Sequence, residues 1–107
     1  MQLAVAVFEL HIPHARSLKE KRAVVRSVRA RIRSRFEMSV AEVGLLDLHQ
    51  RARLGAAMVG SDGASLEPLF EEVARTLEVE SDASLVTWSV EVIEMPDEPA
   101  ADGMKFE

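Results

Sequence analysis

At 107 residues and 48% apolar content, the chain is the size of one domain with a single two-layer core. Cys is absent, which excludes a disulfide framework, a zinc-thiolate centre and a thiol nucleophile, and fits a reducing, cytoplasmic setting. The formal net charge of −5 is divided unevenly: residues 1–53 hold eleven Lys and Arg against five Asp and Glu, while residues 54–107 hold two against thirteen. A positive face on a negative protein points to a phosphate-bearing or acidic partner rather than to general adhesion.

The run from Met1 to Leu10 is too short to span a bilayer and is interrupted by Glu9, so a membrane segment is not expected. Leu3 to Ile12 alternates, with Ala4, Ala6, Phe8, Leu10 and Ile12 on one side, and reads as a strand buried on one face that ends at Pro13. Ser17 and Glu20 form an S-x-x-E capping box. They open a helix to about Arg35 whose Leu18, Val25, Val28, Ile32 and Phe36 share one stripe. Met38 to Leu46 and Arg51 to Val59 read as a hairpin, the second strand turning Ala52, Leu54, Ala56 and Met58 inward. A second helix is expected from Ser65 to Val79, with Leu66, Leu69, Phe70, Val73 and Leu77 on its apolar side. Leu85 to Met95 is the last strand, with Val86, Trp88, Val90 and Val92 inward. Residues 1–95 therefore form the domain, and 96–107, PDEPAADGMKFE, read as a Pro-containing acidic tail.

The order β-α-β-β-α-β predicts an α+β, ferredoxin-like sandwich: a four-stranded antiparallel sheet in the order 4-1-3-2 with both helices on one face. This topology gathers the end of the first strand, the start of the first helix and the central hairpin at one edge. His11, His14 and His49 then meet near Asp47, Gln50 and Arg51, a set of edge ligand candidates. Loop-end histidines amid cations are a weak metal signal, and Ser17 and Ser39 lack a paired His and acid. Neither an enzyme, a metal nor a cofactor is expected.

The blocks HIPHARSLKEKRAVVRSV, RFEMSVAEV and DLHQRARLGAAMV resemble the YlxP-like family of small bacterial proteins, a domain of unknown function. The resemblance covers roughly residues 3 to 95 and is carried by Ser17 to Arg22, Ser39 to Val43, and the spacing of Asp47, Gln50, Arg51, Ala52, Leu54 and Gly55. It implies a ferredoxin-like fold. Family genes often lie among those for translation initiation and ribosome maturation, which implies a partner such as ribosomal RNA or a ribosomal subunit. No catalytic residue is carried over.

Residues 16–35 contain nine Lys or Arg against Glu20 alone. On a helical wheel Ala23, Ser27, Ala30 and Ser34 form a small outer floor, flanked by Lys19, Arg22, Arg26, Arg29 and Arg33 on one side and by Lys21, Arg31 and Arg35 on the other. Such a surface lets a polyanion approach while guanidinium groups reach round it, so Arg16, Lys19, Arg22, Arg26, Arg29 and Arg33 are the candidate RNA- or anion-binding residues. The bland reading is a solvated face partly paired with Glu71, Glu72 and Glu78 of the second helix. Base stacking is not expected, because the aromatic inventory is Phe8, Phe36, Phe70, Trp88 and Phe106.

On the uncovered sheet face the expected outward residues are Val5, Val7, Glu9 and His11, then Val40 and Glu42, then Arg51, Arg53, Ala57 and Val59, then Thr87, Ser89 and Glu91. The mixed charges argue against a basic platform. Val5, Val7, Val40 and Val59 with Ala57 suggest a homodimer interface. An alternative function is therefore a homo-oligomeric module that captures an anionic metabolite or an acidic protein at the histidine edge.

Overall fold

The computed structural model describes residues 1–79, 82–96 and 98, so most of the expected tail, 96–107, lies outside the described residues. Strand β1 (Gln2–His11) places Ala4, Ala6, Phe8 and Leu10 in the core with no exposed surface. Helix α1 (Leu18–Arg35) begins at Ser17, whose hydroxyl accepts the Glu20 N–H at 3.1 Å, and closes with the Phe36 N–H on the Ile32 carbonyl. Strands β2 (Ser39–Gly44) and β3 (Arg51–Gly60) form the hairpin, helix α2 (Gly63–Glu78) follows, and β4 (Ser84–Glu94) completes the sheet. The strand order is β2-β3-β1-β4, all antiparallel, which is the expected 4-1-3-2 read from the other edge. Val25, Val28 and Ile32 of α1 and Leu66, Phe70, Val73 and Leu77 of α2 join the inward strand residues in one cluster, so both helices cover the same face.

Three local expectations are corrected. Helix α2 starts two residues early because Asp62 caps it: its carboxylate accepts the Ala64 N–H at 3.0 Å, and Pro68 is accommodated inside the helix. In β4, Val86 is exposed rather than inward. Phe8 pairs with Trp88 but Leu10 pairs with Leu85, and the bulge between them turns Leu85 to the core and leaves Val86 49% exposed.

The largest correction concerns β2. Val40 pairs with Ala56 and Glu42 with Leu54, both inward residues of β3, so Val40 and Glu42 point under the helices. Val40 is 2% exposed and cannot belong to a sheet-face interface. The outward residues of this strand are Ser39, Ala41 and Val43, of the opposite parity.

Candidate nucleic-acid interface

Helix α1 runs antiparallel to β2, the edge strand beside it, and side chains join the two at both ends. Near the C-terminal end of α1, the Arg29 Nε and the Arg33 Nη2 both donate to the Val40 carbonyl, at 3.2 and 3.4 Å. This covers part of an open sheet edge. Each guanidinium has five donors and gives only one to the strand. The remaining N–H groups of Arg29 and Arg33 are held on a short leash beside β2.

At the N-terminal end the anchor is Lys21, which the wheel placed on an exposed flank. It is instead 1% exposed. Its Nζ donates to the carbonyls of Leu45, Leu46 and Arg51 at 2.8, 3.4 and 3.2 Å, and lies 2.9 Å from the Glu42 Oε2. An ammonium has three protons, so with three carbonyls already served the carboxylate acts through its charge, and Oε2 has no hydrogen-bond partner of its own. Lys21 lies one turn before Val25 on the line Leu18, Lys21, Val25, Val28, Ile32, and that spacing is the signal that could have placed it inside. Glu42 was missed for the same reason: it alternates with the buried Val40.

The other expected cations separate by environment. Lys19, Arg22 and Arg26 are exposed and make no ion pair or hydrogen bond among the described residues. Arg16 is exposed too, its backbone N–H bonded to the Glu20 carboxylate. On the opposite flank Arg35 donates to the Thr76 hydroxyl at 3.3 Å and lies 5.9 Å from the centre of the Phe36 ring. Glu72 of α2, an expected partner for the α1 cations, pairs with Arg75 of its own helix at 2.9 Å, and the Arg75 pKa is raised in consequence. Ala23, Ser27, Ala30 and Ser34 are all exposed, as the wheel requires. The row from Lys19 to Arg33 is thus about 21 Å long by helix rise, beside a floor of small residues.

The histidine edge forms as a place but not as a ligand cluster. His11, His14, Asp47, His49, Gln50 and Arg51 are exposed there, and Gln50 is turned across the edge, its amide donating to the Pro13 and Ala15 carbonyls at 3.2 Å each. Among the described residues no group of three His, Asp or Glu could hold a metal ion. The helix N-terminus at this edge is already served by Ser17 and by the Glu20 carboxylate, which leaves it poorly suited to a further anion.

On the open sheet face Glu9 binds two cations of β3, Arg51 at 2.6 Å and Arg53 at 2.8 Å. The Arg53 hydrogen bond, helped by the charges of both arginines and a further bond from Arg51, holds the Glu9 carboxyl below its ordinary value against the opposing effect of burial. Glu42 takes no part, since it lies on the other face.

Together these elements define a two-layer β-α-β-β-α-β protein with a cation row along its first helix. The model of the family described as "Protein of unknown function (DUF503)" matches residues 3–90, and the chain belongs to that family. It is similar to the "Uncharacterized protein YlxP" of Bacillus subtilis (strain 168), at 37% identity over 71 residues that span 66% of this chain and 77% of the relative. The resemblance carried by the SLKEKR and SVAEV blocks is therefore the family found. Among the described residues no helix is long and apolar enough to cross a membrane.

Proposed function

We propose that this protein is a non-enzymatic, cytoplasmic RNA-associated protein that docks on the phosphate backbone of structured RNA, ribosomal RNA being the first candidate, through the cation row of α1. The observation that carries this reading is the state of the row: among the described residues Lys19, Arg22 and Arg26 project to solvent without an acidic partner, and Arg29 and Arg33 are tethered to a backbone carbonyl rather than neutralised by a carboxylate. Tethered guanidinium groups lose less freedom on meeting a phosphate, which favours binding. The small floor of Ala23, Ser27 and Ala30 permits close approach, and the sparse aromatics direct contact to backbone and shape rather than to bases. The competing capture of an anionic metabolite at the histidine edge is less supported, because Glu20 and Ser17 already occupy the helix end there.

The test is co-sedimentation with ribosomal subunits and a model duplex across a salt series. Contact with about three phosphates gives a log-log slope near −2.7 on duplex. The Lys19→Ala, Arg22→Ala, Arg26→Ala triple variant should lose binding while keeping its melting temperature within a few degrees, since none of the three residues has a hydrogen-bond or ion-pair partner among the described residues. A flat salt response of the wild type, or an unchanged triple variant, refutes the reading.

A further inference from the structure

We propose that the uncovered sheet face is the interface of a homodimer, formed about a two-fold axis that runs along the strands between β1 and β3. The face is apolar over most of its length: Val7 is 41%, Val43 55% and Val59 63% exposed, and Val5, Ala41, Gly55 and Ala57 line a shallow groove between them. Its relief is complementary to itself. β1 raises Val5 and Val7, and their register partners on β3 are the small Ala57 and Gly55. A two-fold between these strands stacks β1 of one copy on β3 of the other at the same level, so Val5 meets the second copy's Ala57 and Val7 its Gly55, a large residue over a small one each time.

The same operation governs the charges. Glu9 and Arg53 are register partners, so Glu9 of each copy faces Arg53 of the other, and a pair made within one sheet extends into a four-membered ring across two. Glu91 is the register partner of Val5, and Ser39 that of Ala57, which places the Glu91 carboxylate over a hydroxyl. Ala41 likewise falls over Ser89. No like charges are opposed along β1, and His11 over Arg51 lies at the wet end of the face.

The area is sufficient. Strands of ten residues in β1 and β3, eleven in β4 and six in β2 give a flat face of about 600 Å², or roughly 1,200 Å² for two copies, at the lower end of the range of specific interfaces. Sheets stacked in this aligned manner leave both α1 helices outward, so the dimer neither requires nor obstructs RNA binding.

Sedimentation at about 100 μM protein, where even a micromolar Kd leaves the dimer dominant, should give twice the 11.8 kDa chain mass. Val7→Glu buries a carboxylate from each copy and should weaken association by more than about 100-fold, giving a folded monomer. The geometry is read by a charge exchange: Glu9→Arg alone and Arg53→Glu alone should each be monomeric, while an equimolar mixture of the two should recover the dimer mass. A monomeric wild type or a dimeric Val7→Glu variant overturns the interface. A mixture that stays monomeric, with both components folded by circular dichroism, overturns the two-fold placed between β1 and β3.

Discussion

Two clusters of charge cross the sheet of this protein, one on each face, and they use their charges in opposite ways. Under the helices, Lys21 is almost wholly removed from solvent, serves three carbonyls and neutralises Glu42. On the open face, Glu9 gathers Arg51 and Arg53 with both arginines still more than 40% exposed. The covered cluster spends a cation on holding the β2–β3 loop against α1, and the open one keeps its charges available to a second surface. The comparison shows that a Lys in a basic run need not belong to the basic surface.

The sharpest way to break this contrast is Lys21→Met. It strands Glu42 and three carbonyls, and should cost about 3–5 kcal/mol. For a domain of this size that lowers the melting temperature by more than ten degrees. The double variant Lys21→Met, Glu42→Leu removes both charges and should recover a large part of the loss in urea melts. A smaller effect belongs to Arg29→Ala and Arg33→Ala, each of which deletes one donor to Val40 and should cost about 1 kcal/mol. Together they free a carbonyl at the β2 edge, and faster hydrogen exchange of the amides of residues 39–44 would register it.

The smallest effect is one of pH. The Glu9 carboxyl titrates below its ordinary value in the folded chain, so its contribution to stability is complete above that ordinary value. It is lost as pH falls through the lowered one. Glu9→Gln should therefore flatten the acid limb of the stability curve by lowering stability in the neutral region, where the carboxylate contributes, and leave the acid end little changed, as melting temperatures from pH 7 to pH 2 would report.

Most of the architecture was legible because alternation and the 3.6-residue stripe are strong in β1, β3, α1 and α2. β2 was not. In Met38 to Leu46 apolar residues occur at both parities, and the acid at Glu42 drew its strand face outward, although its buried partner lies on a helix 21 residues earlier in the chain. Only the three-dimensional pairing reveals that such a charge is compensated. Val86 escaped for another local reason, the bulge that shifts the β4 pattern by one residue. The cation row was legible as a surface because exposure follows the wheel. What it omitted was the tether of Arg29 and Arg33 to Val40, a contact set by tertiary placement of a strand edge that the wheel does not contain.

The loop after β2 is exposed at Leu46, Asp47, Leu48 and His49, yet its backbone is bolted down from two directions. Leu45 adopts a left-handed conformation, φ 56°, with its carbonyl on Lys21, while the Gln50 carbonyl accepts the Ile12 N–H at 2.8 Å and its amide grips the chain ahead of α1. A leucine in that conformation carries a cost of about 1–2 kcal/mol, which the lysine contact offsets. Loop and helix start therefore open as one cooperative unit. A protease that prefers leucine should find Leu46 and Leu48 in plain view and still be unable to cut there until that whole corner has come apart.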